Sequence, residues 1–501
     1  MRLRLIFFLM AAMAMPICSE GQEGLLPRAT PESQGVPSAS VAAWFDTLMA
    51  TRSTEIHGAM LLRHGKVVGE MHPSPFGAEH GHALFSCSKT FTAAAVGIAI
   101  GENRLRESDR VAAIFADLLA HRGISDTLAA LTVGDLLTMR TGIRPTNTIR
   151  EREAEWLCRY LETEKAAMPG ERFAYDSMAT YALSAIVSRV TGMNVLEYLR
   201  ERVFGPLGID EAAWDSSPEG VTCGGWGLHL RTESMAKFGQ LLLNRGAWGS
   251  RQLIPSEWVD KMMTVHVESA GYGLQMWECG HESAMRADGL HGQFIIVMPG
   301  EDMVAVVTQC CNSKEPGQKE MAALFRDVVP TLSDHALPES KAAKALAKKA
   351  AAYALPMAKG SATKGKNARH LGELTLMGDN KLGWEKTTIG QEGDELVVDV
   401  VKKDGTMASL RLGNGRWAST QVPIRFPPHS RGKVAGANSG FASPFTARGS
   451  YGWEGSDTLN AKILFVDWIS GVEIRIDFGE EETWMLVKQN IDPKPFRIKL
   501  K

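Results

Sequence analysis

The sequence has no Cys-x-x-Cys pair among its 7 cysteines, so neither a zinc ribbon nor a thioredoxin-type redox centre is on offer. It has no excess of charge of one sign. Lys plus Arg number 55 and Asp plus Glu 57, a formal net charge of −2, which excludes a whole-protein electrostatic grip on nucleic acid. No Gly-x-Ser-x-Gly elbow occurs, and that argues against an α/β-hydrolase. No short-period repeat is present, and beyond the first residues there is no uncharged stretch of transmembrane length. What remains is 501 residues, 44% apolar and 22% charged, the composition of a globular protein with room for two or three domains.

The first residues stand apart. Arg2 and Arg4 precede an apolar run from Leu5 to Met15, and Cys18, Ser19 and Gly21 follow. A charged start, a short apolar stretch and small residues predict a secretory signal peptide over residues 1–21, too short to anchor in a bilayer. Ile17 stands where a lipoprotein signal needs a small residue, against lipidation of Cys18. The mature chain is therefore expected to be exported, periplasmic or secreted, without a membrane span. An oxidising compartment permits disulfides, but spacing alone selects no pairing, and buried free thiols are the plainer expectation for most of the six remaining cysteines.

Three mature segments follow. Residues 28–335 mix strand and helix signals. His57–Glu70 reads as two strands around His64-Gly65. Thr90–Ile100 is small and apolar nearly all round, a buried helix. Thr132–Gly142 opens on a capping box of Thr132 and Asp135 and closes on glycine. Residues 150–203 read as mostly helical, and Phe294–Met298 and Met303–Val307 as adjacent buried strands. Residues 336–368 form an Ala/Lys-rich linker, helical or flexible, with seven lysines and no acid between Lys341 and Lys366. Residues 369–501 turn β-like. Val472, Ile474, Ile476 and Phe478 alternate with polar residues, Lys462–Ile469 is a second strand, and Lys403-Asp404-Gly405 ends a third in a hairpin turn. A small antiparallel sandwich or barrel is expected there.

A serine hydroxyl needs a nearby base to attack at neutral pH. Ser-x-x-Lys at a helix start puts both side chains on one face, with the helix N-terminus favouring developing negative charge. Four matches occur, at Ser86/Lys89, Ser234/Lys237, Ser361/Lys364 and Ser430/Lys433. Only Ser86 opens the buried helix, so only there would both groups point inward from a rigid element. Ser361 lies in the linker, Ser430 in a Pro-rich loop, and Ser234 begins an ordinary amphipathic helix. Tyr175-Asp176-Ser177 adds a phenol ahead of another apolar helix, although taken alone it reads better as a tyrosine packed at a loop edge. Ala287-Asp288-Gly289-Leu290-His291-Gly292-Gln293 leads into a buried strand, where glycine lets a backbone approach a substrate. A tight strand start is the plain alternative.

The order Ser-x-x-Lys, Tyr-x-Ser, Gly-rich strand resembles the serine β-lactamase and penicillin-binding-protein superfamily. The likeness is nearer to its class C-like esterases and 6-aminohexanoate-dimer hydrolase-like amidases. Pro31-Glu32-Ser33-Gln34-Gly35-Val36, LTVGDLLTMRTGI at 131–143 and GGWGLHLRTESMAKFGQLLLNRGAWG at 224–249 share it, so it covers roughly residues 28–330. The resemblance implies a β-lactamase/transpeptidase-like α/β (α+β) fold, an antiparallel sheet flanked by helices with a helical subdomain, followed by the all-β domain. It implies Ser86 as nucleophile, Lys89 as partner base and Tyr175 as proton shuttle. The N–H groups of Ser86 and Leu290 would form the oxyanion hole, and Ser177, Ala287, Asp288, Gly289 and His291 would line the substrate pocket. No metal or cofactor is implied.

Two positions depart from the family pattern. Ala287 stands where a Lys or His is usual, and Ser177 where an Asn is usual. Losing the cation weakens the case for penicillinase or D-Ala-D-Ala carboxypeptidase action, and Arg286 next door would turn to the other face by strand alternation. The expectation is an ester or amide hydrolase acting on a small-molecule or peptide substrate. The rivals are a penicillin-binding or non-turnover sensor protein and a weak β-lactamase. The sequence leaves the substrate and the oligomeric state open. Two other patterns fail in context. GSATKGK at 360–366 lacks the Ser/Thr and preceding strand of a P-loop, and His80 and His82 lack the Asp-His of a metallo-β-lactamase.

Overall fold

The apolar runs of residues 54–71 and 285–311 meet in one antiparallel sheet. In this computed structural model residues 25–501 are described, apart from 52, 146–147, 165, 313–316, 427–438, 442 and 493. The expected signal peptide and the Ser430/Lys433 pair lie outside the described residues. The sheet runs in the order Lys66–Met71, Thr54–Arg63, Met303–Cys311, Gln293–Met298, Met285–Gly289, Trp277–Glu278. His64 and Gly65, at φ 51° and 71°, make the two-residue turn that suits a hairpin's twist.

Strand alternation divides the sheet's side chains between two cores. Met60, Leu62, Ile295, Val297, Val304 and Val306 face one way, towards the helices Ser88–Gly101 and Thr232–Leu243. Leu61, Phe294, Ile296, Met298, Ala305 and Val307 face the other way, towards the helix Ser38–Ala50. The helix Ser88–Gly101 is buried from Ser88 to Ala99, and its small residues have a reason. A Cβ on Gly97 would sit 1.9 Å from Trp258, whose indole N–H donates to the Ala93 carbonyl at 2.9 Å.

The helical subdomain comes from residues between these two helices, including Trp156–Glu162, Ser177–Thr191 and Val195–Leu199. The Thr132/Asp135 capping box forms, but its helix is only Val133–Leu137. Gly142 at φ 74° turns the chain against the Ala167 carbonyl instead of ending that helix. In the Ala/Lys segment, Lys341–Ala352 is a helix that buries Leu346 and Ala350 against the first domain, with Lys349 and Tyr353 bonded to Asp46.

Beyond it, ten strands form one sheet from Gly372–Thr375 to Phe496–Leu500. Its edges meet through Thr375 N–H to Lys501 O at 2.8 Å, Lys501 N–H to Thr375 O at 3.0 Å and Met377 N–H to Lys499 O at 2.9 Å. This nearly closed barrel resolves the sandwich-or-barrel choice by pairing its own edges. One expected strand is shorter than its hydrophobic run: Thr458–Phe465 ends at Phe465, and the chain turns through Asp467 and Trp468. The barrel docks on the first domain through Lys462 and Glu55 at 2.7 Å and Asn490 and Glu55 at 2.9 Å. Cys87, Cys158, Cys223, Cys279 and Cys310 are free thiols. No helix among the described residues is long and apolar enough to cross a membrane.

Candidate active site

Ser86 sits in the 3-10 turn Phe85–Cys87 that runs into the helix Ser88–Gly101. Ser88 ties the turn down, donating to the Phe85 carbonyl at 2.6 Å and accepting from the Leu228 N–H at 3.1 Å. Phe85 carries a φ of 48°, a left-handed backbone that costs a non-glycine residue about 1–3 kcal/mol unless its surroundings hold it. Lys89, one turn on, points back along the same face. Its Nζ lies 3.1 Å from Ser86 Oγ, 3.0 Å from Ser177 Oγ and 2.6 Å from the Gly225 carbonyl.

These three contacts fit an uncharged amine as they would an ammonium, and burial decides between the two. A neutral –NH2 has two hydrogens and one lone pair. Gly225 O and Ser177 Oγ accept the hydrogens, and the lone pair is left for the Ser86 hydroxyl. Burial drives the same state: it lowers the Lys89 pKa to about 7, assisted by the positive charge of Arg150 and opposed by Asp176. Tyr175 places its ring 4.9 Å from Lys89 Nζ, with its phenol beside the Ser86 side chain. Burial raises the Tyr175 pKa, so the phenol stays protonated as a donor. Trp277 and Tyr272 fix the ring at centroid distances of 5.4 and 6.2 Å.

The strand Met285–Gly289 supplies the facing wall. A Cβ on Gly289 would lie 2.3 Å from the Leu84 carbonyl. Only glycine lets this strand press against the segment that carries Ser86, and Leu290 follows directly. Ala287 is buried on the same side as Met285, in the helix-facing core. Arg286 points the other way and pairs with Asp288 at 2.9 Å, so it does not supply the missing cation.

The structure brings Ser86, Lys89, Tyr175 and Ser177 together and sets Gly289 and Leu290 beside them. Two residues expected in the pocket make bonds elsewhere. Asp288 holds Arg286. His291 is 1% exposed, bonds the Cys311 carbonyl through Nδ1 at 3.0 Å and sits edge-on behind Phe85. The Ser234/Lys237 pair is structural: Ser234 bonds Glu211, and Lys237 bonds the Leu207 carbonyl. Ser361 is tied to the Trp453 backbone. His82 bonds His57 at 2.8 Å.

Sequence reasoning missed three neighbours. Gly225 O is a main-chain atom with no side-chain signature. Asp176 lies inside the Tyr-x-Ser motif, at the position the pattern leaves open. It is 4% exposed, and burial raises its pKa to about 6. Arg150, over the Trp226 ring at 5.0 Å, had no motif to flag it.

Residues 41–328 match the Beta-lactamase family. The chain belongs to this family of serine hydrolases. A 6-aminohexanoate-dimer hydrolase from Paenarthrobacter ureafaciens is 24% identical over 278 residues, 49% of this chain and 70% of the relative. Among solved structures, a candidate 6-aminohexanoate-dimer hydrolase from Bacillus anthracis superposes with a TM-score of 0.50 at 18% identity, covering 60% of this chain and 85% of its own. A candidate β-lactamase from Bacteroides dorei gives 0.51 at 16% identity, covering 58% and 99%. At these identities the two structures speak for the fold.

Proposed function

We propose that this protein is an exported hydrolase that cleaves an ester or amide bond through an acyl-enzyme on Ser86. The observation that carries the reading is the set of three partners around the buried Lys89 amine. Ser86 Oγ attacks the substrate carbonyl carbon as its proton passes to the Lys89 lone pair. The carbonyl oxygen takes the negative charge and is held by the N–H groups of Ser86 and Leu290, each such donor being worth about 3–4 kcal/mol in the transition state. The intermediate collapses, the bond to the alcohol or amine breaks, and Tyr175 hands the leaving group its proton, replenished from Lys89. Water then attacks the ester on Ser86 and gives a proton to the Lys89–Tyr175 pair, which passes it to Ser86 Oγ as the acyl–oxygen bond breaks and the acid leaves.

The relative named for hydrolysing a 6-aminohexanoate dimer is consistent with the amide branch of this reading. Ala287, in place of a cation, argues against a β-lactam or D-Ala-D-Ala substrate held by its carboxylate. The N-terminal pattern of residues 1–21 supports export. The test is a panel of p-nitrophenyl esters, nitrocefin and D-amino-acid amides against wild type and Ser86→Ala. Steady turnover of esters or amides that disappears in Ser86→Ala is expected. Undiminished hydrolysis by Ser86→Ala would overturn the assignment, and a single stoichiometric burst without steady release would favour the sensor.

A further inference from the structure

The segment leading to Ser86 belongs to two cores at once. Leu84 and Cys87 are buried with the helical side of the first domain. Ala83 is buried in the core of the C-terminal barrel, and Phe85 packs against that core. The partner on the barrel side is Trp468, in the turn after the strand Thr458–Phe465. Its ring centroid is 6.4 Å from that of Phe85, and its indole is 6% exposed. Trp468 is itself held. Arg425 lies over it at 3.7 Å, and His229 stacks on it at 4.8 Å. His229 also stacks on Phe441 at 4.9 Å and pairs, strand to strand, with Ala83. Close by, Gly440 N–H donates to Asp215 at 3.0 Å, and a Cβ on Gly440 would lie 2.0 Å from the Trp214 carbonyl.

We propose that the C-terminal barrel is a working part of the active site, with Trp468 acting as a positioning residue that holds Phe85, and through it Ser86, in register with Lys89 and Tyr175. The physical argument starts from Phe85. A non-glycine residue at φ 48° persists only where its surroundings over-determine it. Among the described aromatic rings, the first domain offers Phe85 the edge of His291 at 5.6 Å, and the barrel offers Trp468 and the core around it. Relaxing Phe85 to a right-handed or extended backbone would rotate the next peptide, which carries the Ser86 N–H and re-aims Oγ. Displacements of this size disturb the attack geometry without emptying the substrate site. The barrel then contributes to kcat, and to KM only weakly. This inference rests on Ser86 being the nucleophile.

The experiment uses the full chain and two readouts: steady-state kinetics on a p-nitrophenyl ester, and the rate of labelling by a fluorophosphonate probe. The variants are Ser86→Ala, Trp468→Ala, Trp468→Phe, Phe85→Gly and the Phe85→Gly/Trp468→Ala double, with Trp384→Phe in the barrel core as a control for destabilisation. Trp468→Ala should lower kcat and the labelling rate about tenfold or more with KM within about twofold. Trp468→Phe, which keeps a ring against Phe85, should recover most of the loss. In the Phe85→Gly background the Trp468→Ala change should add little, since the contact it removes is already gone. A folded Trp468→Ala protein with wild-type kcat, or losses that simply multiply in the double variant, would overturn the proposal. Should Trp468→Ala not fold, Trp468→Leu, which removes the ring but fills part of its space, takes its place: wild-type labelling by the folded Trp468→Leu protein would overturn the proposal. Labelling that persists in Ser86→Ala would instead sink the nucleophile assignment.

Discussion

Acidifying the medium below pH 7 should silence hydrolysis in step with protonation of Lys89. An ammonium at that position has no lone pair to take the Ser86 proton, so acylation follows the neutral fraction of the amine. With the Lys89 pKa at about 7, about half the protein is competent at pH 7, about a tenth at pH 6 and about a hundredth at pH 5. An ordinary lysine would be neutral in only about 3 molecules in 10,000 at pH 7, so burial raises the competent fraction on the order of a thousandfold. The assay is kcat/KM for a p-nitrophenyl ester between pH 5 and 9 at constant ionic strength. A tenfold fall per unit below 7 and a plateau above 8 are expected. The neighbouring charges give the curve a signed control. Arg150→Gln removes a cation that disfavours the ammonium, so the acid limb should move to higher pH. Asp176→Asn removes an anion that favours it, so the limb should move lower. A flat profile from pH 5 to 8, or shifts of the same sign in both variants, would refute the electrostatic account of Lys89.

Gly289→Ala places a Cβ 2.3 Å from the Leu84 carbonyl. It should push Leu290 from the oxyanion and lower kcat about a hundredfold or more, read from steady-state kinetics with circular dichroism confirming the fold. Lys462→Met leaves Glu55 in its interdomain site with only Asn490 and should cost about 3–5 kcal/mol in urea unfolding, with much of the loss recovered by a second change, Glu55→Gln. His57, His82 and His229 are buried with lowered pKa values, His82 at about 4, burial being the main cause in each. Below pH 6.5 the unfolded chain takes protons that the folded one refuses. Stability should therefore fall as pH drops from 6.5 towards 4, by up to about 1.4 kcal/mol per unit for each histidine, and His229→Phe should flatten the urea midpoint against pH.

The first domain was legible because its signals are local. A hairpin turn at His64-Gly65, a capping box at Thr132 and an all-apolar helix after Ser86 each depend on residues a few positions apart, and each formed. Helix ends were less legible. Gly142 looked like a stop signal, yet its left-handed φ serves a turn against Ala167, a contact 25 residues away that periodicity does not encode. Trp468 was misread for a related reason. The apolar run Lys462–Ile469 reads as one strand, whereas its last residues leave the ladder to pack on another domain, and burial without pairing has the same hydrophobic pattern as burial with it.

The same distinction explains which parts of the site were visible. Ser86, Lys89 and Tyr175 meet through their side chains, so residue type reports them. Gly225 acts through a carbonyl, and the Ser86 turn is held by a ring 382 positions along the chain. Neither leaves a chemical signature in its own neighbourhood. Asp176 shows the intermediate case. It is a charged residue inside a recognised motif, and it lies 4% exposed at the start of the helix Ser177–Thr191, where its side chain accepts from the Met178 N–H at 2.9 Å. A local reading makes it a helix cap and stops there. Only burial beside Lys89 gives its charge a second consequence, because an anion that would be screened at a surface acts at full strength where water is excluded. The cap and the electrostatic role need different parts of the same side chain. Asp176→Asn keeps an oxygen for Met178 and loses the charge, so it separates the two where Asp176→Ala would not.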